Sequence, residues 1–374
     1  MGEPEEQPVD GAMDWPSSLQ LIGSQALGGA EHWFQRFARA LAVESAPAVL
    51  GVRRGSALET LDYGGLPVER LPFLSVWDPL SRAAIRRQVR QHCPEIVQTY
   101  MGRATRLTRL SPVGNAGPVQ IARLGGYYKL APYRHAQAWI GNTRGLCDWM
   151  IAQGLPAARV HHIYNFAAPA QPHPPTAITA LRQQLELGEA WVLVALGRLV
   201  PVKGHHYLLQ ALSRLPAQIE QRPWVLLLLG DGPLRAKLQQ QALETGLMER
   251  LRWCGWQSDP GLYLQLADLV VFPSLEQETL GNVILEAWSW QRPLLSAQFR
   301  GARELLRPGE DALTVPCADA PALAAGIQHL LSDARLREHL VRAGAQRVAA
   351  EFSRTVIMRQ YRELYRMLID HSPT

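Results

Sequence analysis

Short apolar runs alternate with amphipathic stretches along most of the 374-residue chain. The runs have the length of β-strands, and the stretches between them repeat apolar positions at helical spacing. This alternation is typical of a parallel sheet whose faces are covered by helices. In the first half, strands are predicted at residues 18–23, 47–52, 95–99, 118–122, 137–140 and 160–164. Helices are predicted between them at residues 29–43, 79–92 and 143–153.

A proline-rich break at residues 166–177 (FAAPAQPHPPTA) separates this half from a second series of the same kind. Its four prolines and weak periodicity indicate a linker. Beyond it, strands are predicted at residues 191–196, 224–229, 250–253, 268–272 and 293–296. Helices are predicted at residues 204–214, 233–245, 280–291 and from 319 onward. The pattern therefore predicts two α/β domains, residues 17–167 and 168–353, behind a disordered lead-in at residues 1–16.

Length and composition agree with two folded domains and indicate where the protein works. The chain is 47% hydrophobic, yet no apolar run approaches the roughly 20 residues that a membrane-spanning helix needs. The acidic N-terminus lacks the basic and apolar segments of a secretory signal. The four cysteines, Cys93, Cys147, Cys254 and Cys317, form no CxxC pair and no metal-ligand spacing with histidine. Free thiols in a chain of this length predict a cytoplasmic protein.

Positive charge is concentrated in the first half of the chain. Residues 15–170 contain 17 lysines and arginines against 8 acidic residues, whereas residues 171–374 contain 21 against 20. Several arginines repeat at spacings of three and four on one predicted helix and just after it. They are Arg82, Arg86, Arg87, Arg90, Arg103, Arg106 and Arg109. Such a face suits a phosphorylated acceptor, an anionic lipid surface or nucleic acid, or it is a solvated surface without a partner.

Three loops of the second half join a predicted strand to a predicted helix, where ligands bind in sheets of this kind. The first, residues 197–204 (GRLVPVKG), has glycines at both ends that allow a close backbone approach. Its Arg198 and Lys203 combine a guanidinium fork with a point charge, which suits a diphosphate. The chain contains 35 arginines and three lysines, so a lysine here indicates that a primary amine matters.

The other two loops supply a tight turn and a pair of carboxylates. Gly232 lies in the second loop (LGDGPLR), which again leads from a strand into a helix. In the third loop, residues 272–286, the backbone amides of 280–283 are expected to be unpaired at a helix start and to form an anion site. Glu278 and Glu286 lie before and after this start, and a buried carboxylate accepts hydrogen bonds from two hydroxyl groups of a sugar or a ribose.

Taken together, GRLVPVKG, GDGP and ADLVVFPS, followed by Glu278 and Glu286, resemble the retaining glycosyltransferases of the GT-B fold, family 4, also described as glycosyltransferase group 1. The later segments EAWSWQRPLLSA and GARELLRPGEDALTV resemble the same family. In the first half, Gly28 and Gly29 are similar to its first-strand glycine loop, and Asn165 falls where the family has an asparagine before its interdomain linker. The resemblance covers most of the chain and is strongest in the second half.

This resemblance implies two facing Rossmann-like domains with the active site in the cleft between them, and a final helix within 354–374 that crosses back to the first domain. It implies that Arg198 and Lys203 hold the diphosphate of a nucleoside-diphosphate sugar, and that Glu278 contacts the transferred sugar. Glu286 would contact the ribose. The further donor-binding residues that it implies are Gly28, Gly29, Gly232, Thr279, Leu280, Gly281 and Asn282. Neither a cofactor nor a metal is expected, because the two cations replace the metal.

The first half departs from the family at one position and leaves the acceptor open. The family often has a histidine near the transferred sugar at the end of a strand, whereas the two candidate strands here end at Tyr100 and around Arg123. The acceptor implied is a glycan or a lipid-linked molecule, since members often build lipopolysaccharide or other lipid-linked glycans at the inner membrane leaflet. An arginine face would then suit peripheral association with the inner face of the cytoplasmic membrane.

Other classes of protein remain open at this point. A sugar-nucleotide epimerase of the same fold would interconvert its nucleotide sugar without an acceptor, and it is not expected to carry both cations and both glutamates. A phosphorylase of the same fold needs a lysine for pyridoxal phosphate, and only Lys129, Lys203 and Lys237 are present. A non-enzymatic protein that binds nucleic acid is suggested by charge alone, since the basic residues are not interleaved with aromatic ones.

Overall fold

The computed structural model describes residues 15–110 and 117–371, which contain two parallel β-sheets covered by helices. The strands of the first sheet are β1 (Ser18–Ile22), β2 (Ala48–Arg53), β3 (Val68–Leu71), β4 (Ile96–Tyr100), β5 (Val119–Leu124), β6 (Ala138–Gly141) and β7 (Val160–His162). They run in the order β3-β2-β1-β4-β5-β6-β7, and each neighbouring pair is parallel. The helices of this domain are α1 (Gly29–Val43), α2 (Pro79–His92), α3 (Met101–Leu107) and α4 (Arg144–Ala152).

A second sheet of the same kind follows the proline-rich segment. Its strands are β8 (Trp191–Leu196), β9 (Gln218–Ile219), β10 (Arg222–Leu229), β11 (Leu251–Gly255), β12 (Leu269–Phe272), β13 (Leu294–Ala297) and β14 (Leu313–Val315). The order is β11-β10-β8-β12-β13-β14, all parallel, with the short β9 antiparallel to β10. The helices around it are α5 (Pro175–Gln184), α6 (His205–Leu212), α7 (Arg235–Glu244), α8 (Gly261–Leu266), α9 (Asn282–Ser289), α10 (Arg300–Leu305), α11 (Ala320–Ser332) and α12 (Ala334–Glu351).

The last helix, α13 (Arg354–Asp370), leaves the second domain and packs against the first. Tyr361 and Tyr365 on this helix are fully buried in the core of the first domain. The Tyr365 hydroxyl donates to Gln98 Oε1 on β4 at 3.0 Å, which satisfies its buried polar end. The amphipathic face of α13 is therefore held on the first domain by apolar burial and by the hydrogen bond of Tyr365.

Central strands of both sheets are buried on both faces because helices cover both sides. β8 (WVLVAL) is buried along its whole length. The elements that the sequence pattern did not predict are short or lie at the edges of the sheets: β3, β9, β14, α3, α5, α8 and α10. Both α8 and α10 have six residues, fewer than two turns, so that helical periodicity cannot show itself. The edge strand β3 (VERL) carries two charged residues and lacks an apolar run.

Two boundaries differ from those expected from the sequence. α5 begins at Pro175, inside the predicted linker at 166–177, because proline is favoured in the first turn of a helix. Residues 1–14 of the predicted lead-in lie outside the described residues. Trp15, also assigned to that lead-in, is instead buried and donates its indole N–H to Glu44 at 2.8 Å. The packed part of the chain therefore includes at least Trp15.

The two domains meet through the loops that follow the carboxyl ends of their strands. His32, near the start of α1, stacks on Trp256, which follows β11, with 5.9 Å between ring centroids. The guanidinium of Arg300, which follows β13, lies 5.0 Å from the ring centroid of Tyr127, which follows β5. The cleft between the sheets is thus lined by the strand ends where ligands of doubly wound domains bind. No helix in the described ranges combines the length and the apolar character needed to cross a bilayer.

Candidate active site

Three loops of the second domain pack on one another at the carboxyl ends of β8, β10 and β12. The Leu199 amide donates to the Asp231 carbonyl at 2.9 Å, which joins the first loop to the second. The Leu275 amide donates to the Val202 carbonyl at 2.8 Å, which joins the third loop to the first. A Cβ atom at Gly232 would lie 2.6 Å from the Leu199 carbonyl oxygen, so only glycine permits this close approach.

The packing brings Lys203 of the first loop against Glu278 of the third. Lys203 Nζ lies 2.7 Å from Glu278 Oε2 and 5.2 Å from the centroid of the Phe272 ring. The Ser274 hydroxyl donates to the same carboxylate oxygen at 3.2 Å. The two charged side chains are only 20% and 16% exposed. A short, charge-assisted contact of this kind fixes both heads in one place while leaving part of each accessible to a ligand.

The start of α9 carries four of the residues expected at the donor site. Thr279 and Leu280 are buried, Gly281 forms the N-cap with a φ of 76°, and Asn282 is the first helical residue. The helix begins two residues later than the predicted 280. The amides of Leu280, Gly281 and Asn282 have no hydrogen-bond acceptor among the residues the structure describes. Free amides at a helix start are what an anion site requires.

Helix α10 braces the third loop through charges that the sequence pattern did not single out. Arg303 Nη2 lies 2.6 Å from Glu276 Oε1, and Arg300 Nε lies 3.3 Å from the same oxygen. The hydrogen bonds from Arg303 hold the pKa of the Glu276 carboxyl below its usual range. Glu276 lies in the third loop, which the sequence pattern singled out as part of a ligand site. Its partners Arg300 and Arg303 lie on α10, a helix too short to be predicted from periodicity.

Glu286 lies one turn into α9 and meets a residue of the other domain. Arg36 Nη2, on α1, lies 3.3 Å from Glu286 Oε1, and Arg36 Nη1 donates to the Phe166 carbonyl at 3.4 Å. One turn earlier on α9, Asn165 Nδ2 donates to Asn282 Oδ1 at 2.7 Å. The helix start that carries the expected donor-binding residues is therefore held by the first domain at two successive turns.

Across the described ranges, no hydrogen bond or ion pair links Arg198, Gly28 or Gly29 to the Lys203–Glu278 pair. The Arg198 side chain is exposed and makes no ion pair within the described part of the chain. Gly28 is the N-cap of α1, and Gly29 is its first residue, where an added Cβ atom would meet nothing within 4 Å. These glycines stand on the opposite wall of the cleft, on the helix that carries Arg36.

Arg123 stands near the strand end where the family often has a histidine, and it is buried. It is 4% exposed, its guanidinium lies 4.5 Å from the Trp33 ring centroid, and its Nε donates to the Tyr361 hydroxyl at 2.9 Å. A second nitrogen donates to Asn165 Oδ1, the side chain that also bonds Asn282. Arg123 thus connects α13 to the linker end of the first domain, beneath the cleft wall.

His205 and His32 lie at the site, although the sequence pattern did not identify them. His205, the first residue of α6, is 3% exposed and lies beside the Gly197 backbone of the first loop. Burial and the nearby charge of Lys203 lower the pKa of its imidazole to about 4, so the ring is neutral near pH 7. Burial and Arg36 also lower the pKa of His32. Their spacing of four residues on a predicted helix was the one feature of the sequence that could have shown that His32 and Arg36 share a face.

In residues 15–110 and 117–371, no three His, Cys, Asp or Glu side chains are grouped closely enough to hold a metal ion. The acidic residues at the site are instead matched by cations, Lys203 for Glu278 and Arg36 for Glu286. Independence of a metal stays a prediction, because paired carboxylates can also rearrange when a ligand binds.

Sequence similarity to known proteins extends over nearly the whole chain. The model of the family described as "Glycosyl transferases group 1" matches residues 177–347. The lipopolysaccharide core biosynthesis glycosyltransferase LpsE of Rhizobium meliloti (strain 1021) is 30% identical over 341 residues, which cover 90% of this chain and 95% of LpsE. Its counterpart LpsD from the same organism has the same identity and coverage.

Solved structures show the same architecture at lower identity. The structure of Anabaena Alr3699/HepE in complex with UDP-glucose aligns with a TM-score of 0.83 at 23% identity, over 94% of this chain and 100% of HepE. The structure of WaaG, a glycosyltransferase involved in lipopolysaccharide biosynthesis, aligns with a TM-score of 0.70 at 14% identity, over 93% and 99%. The family match and the similarity to LpsE, which extends over 90% of this chain, both indicate a glycosyltransferase rather than an epimerase. The chain therefore belongs to the group 1 glycosyl transferase family, and it is a glycosyltransferase with the GT-B fold of two Rossmann-like domains.

Proposed function

We propose that the protein is a retaining, family 4 glycosyltransferase that moves a hexosyl group from a nucleoside-diphosphate sugar to a glycan or lipid-linked acceptor. The observation that carries the proposal is the Lys203–Glu278 pair, which lies in the packed loops at the carboxyl ends of β8 and β12. The names of LpsE and LpsD support lipopolysaccharide or cell-surface polysaccharide synthesis as the setting. The UDP-glucose complex of HepE supports a nucleotide sugar as the donor.

In this mechanism the second domain binds the donor and stabilises the leaving group. Lys203 and Arg198 neutralise the negative charge that develops on the diphosphate, together with the free amides at the start of α9. Glu278 accepts hydrogen bonds from hydroxyl groups of the transferred sugar, and Glu286 accepts them from the ribose. The cations do the work that a metal ion performs in other phosphate chemistry, so we propose that no metal is needed.

The transfer itself needs no protein nucleophile. The bond between the anomeric carbon and the diphosphate oxygen breaks, and a bond from an acceptor hydroxyl forms on the same face of the sugar. The proton of that hydroxyl passes to the departing phosphate oxygen, so charge and protons balance. The anomeric configuration of the donor is thereby kept.

The proposal is tested by a nucleotide screen followed by product analysis. We expect one of UDP, GDP, ADP or CMP, or its sugar, to raise the melting temperature, and chelation by EDTA to leave the effect unchanged. NMR of the first transfer product should show the anomeric configuration of the donor. A protein that none of these nucleotides stabilises does not have the proposed donor site. An inverted product excludes retention, and interconversion of a donor sugar without acceptor would revive an epimerase.

We also propose that the enzyme works at the inner face of the cytoplasmic membrane, bound through one surface of the first domain. This surface, the α2 face, joins exposed apolar residues to an open depression lined by arginines. The apolar residues are Leu74, Trp77 and Leu80, which are 62%, 66% and 63% exposed. The arginines that line the depression are Arg54, Arg70, Arg87 and Arg90. Exposed apolar and aromatic groups beside arginines suit the interface of an anionic bilayer.

The basic face expected from the sequence is only partly present on this surface. Arg103 turns inward and donates to the Phe73 carbonyl at 3.2 Å, and Arg82 is half-buried. Arg106 lies with its guanidinium 4.6 Å from the Trp77 ring centroid, which joins the basic and apolar parts. The loop that carries Trp77 follows the carboxyl end of β3, the edge strand farthest from the linker.

The α2 face is tested by sedimentation with vesicles of phosphatidylcholine, with and without phosphatidylglycerol, at low salt. We expect binding only to the anionic vesicles, and a loss of about tenfold in affinity when Leu74→Ser, Trp77→Ala and Leu80→Ser are combined, because each buried apolar group adds to binding. Leu243→Ser is the matched control, since Leu243 is 63% exposed but lies on α7 of the other domain. Equal sedimentation with both kinds of vesicle, or equal loss in the control, contradicts the proposal.

A further inference from the structure

We propose that Arg36 is a positioning residue for nucleoside recognition: it reaches across the cleft from the first domain and orients Glu286 for the ribose. The inference rests on the proposed role of Glu286, and it adds a first-domain side chain to a ribose contact that is otherwise assigned to the second domain. Neither the loop patterns of the sequence nor the family resemblance pointed to Arg36.

The geometry that carries the inference is a contact at a single carboxylate oxygen. Arg36 Nη2 lies 3.3 Å from Glu286 Oε1, and both side chains are about four-fifths buried. No cation other than Arg36 forms an ion pair with Glu286 among the described residues. Oε2 and a remaining lone pair on Oε1 therefore stay open to hydroxyl donors. A guanidinium at this position orients the carboxylate through a charge-assisted contact.

Arg36 is itself held in place, so that it can act as a fixed support. Its Nη1 donates to the carbonyl of Phe166, a buried residue at the end of the first domain. One turn earlier on α1, His32 stacks on Trp256 of the second domain. Helix α1 thus presents two successive turns, at His32 and Arg36, to the second domain. A guanidinium whose two terminal nitrogens already have partners loses less freedom when a ligand binds beside it.

A consequence is that nucleoside binding and the approach of the two domains are coupled. Glu286 is on α9 of the second domain, whereas its cation comes from α1 of the first. Opening the cleft would separate the two and leave the carboxylate with fewer constraints. Binding energy from the ribose then favours the arrangement in which the first domain stands against the bound donor.

The test measures discrimination between a ribose and a 2′-deoxyribose, a readout that a merely structural role of Arg36 would not change. Binding of UDP, ADP and GDP is compared with binding of their 2′-deoxy analogues by titration calorimetry. For the preferred base, we expect the wild-type protein to favour the ribonucleotide by about tenfold, the value of one lost charge-assisted hydrogen bond. In Arg36→Ala most of this preference should disappear, and Arg36→Lys should restore part of it.

Two further variants separate the possible failures. Arg39→Ala is the matched control, since Arg39 lies on the same helix but faces Asp62 at 3.7 Å on an exposed surface. Glu286→Gln should lose the ribose preference as Arg36→Ala does. If Glu286→Gln keeps the preference, the assignment of Glu286 to the ribose is wrong, and the inference falls with it. If Glu286→Gln loses the preference but Arg36→Ala keeps it, or binds the ribonucleotide more tightly, only the inference is overturned.

Discussion

Replacing Lys203 by alanine is expected to lower kcat for glycosyl transfer by about a thousandfold, as loss of a cation aimed at developing charge does elsewhere. Two effects act together. The diphosphate loses its point charge, and Glu278, only 16% exposed, loses its partner at 2.7 Å and faces the phosphates as an unpaired anion. Arginine should not restore activity, because a planar guanidinium does not reproduce the compact ammonium that lies 2.7 Å from Glu278 and 5.2 Å from the Phe272 ring centroid.

The measurement is the rate of nucleoside-diphosphate release with acceptor present, at saturating donor. Lys237→Ala is the matched control, since Lys237 is one of the three lysines, lies in the same domain and is exposed on α7. Melting curves of both variants separate a catalytic loss from unfolding. A Lys203→Ala enzyme that keeps a tenth or more of the wild-type kcat would remove Lys203 from the proposed mechanism.

How far the sequence reveals this site depends on whether a feature is local or depends on the arrangement of the domains. Lys203 and Glu278 lie far apart in the chain, yet both follow predicted strands of one parallel sheet. Because the carboxyl ends of such strands share one edge, their proximity could be inferred from alternation alone. The contact of Arg36 with Glu286 could not, because it depends on how one domain faces the other, and no local pattern encodes that orientation.

The arginine-rich segment shows a second limit of sequence patterns. Helical spacing predicts which residues share a face, but tertiary contacts decide which way the charged ends turn. Arg103 is drawn inward by the carbonyl oxygens of Gly23 and Phe73, and desolvation there lowers the pKa of its guanidinium. The exposed Leu74 and Trp77 lie in a loop without periodicity, so most of the apolar half of the α2 face had no signal in the pattern.

The turn after Lys203 leads to the second prediction, which concerns stability and the site together. Gly204 has a φ of 65°, and a Cβ atom there would lie 2.0 Å from the Pro273 carbonyl oxygen. The carbonyl oxygen belongs to the backbone, and the Cβ atom is fixed to the backbone of a loop that hydrogen-bonds to the loop carrying Pro273, so neither can move aside cheaply. Gly246 has a φ of 71° in the same domain, but an added Cβ atom meets nothing within 4 Å. The two glycines therefore separate the cost of a positive φ from the cost of a clash.

We expect Gly246→Ala to lower the free energy of unfolding by about 1–2 kcal/mol, the cost of a left-handed conformation for a residue with a Cβ atom. Gly204→Ala carries the same cost and must also push the first and third loops apart. It should therefore lose several kcal/mol, as strained or overpacked core sites do, and melt well below Gly246→Ala. The same displacement separates Lys203 from Glu278, so nucleotide should no longer stabilise whatever folded protein remains. Urea unfolding of both variants, with and without nucleotide, measures this. Equal losses would mean that the loops can yield, and that the position of Lys203 does not depend on their close packing.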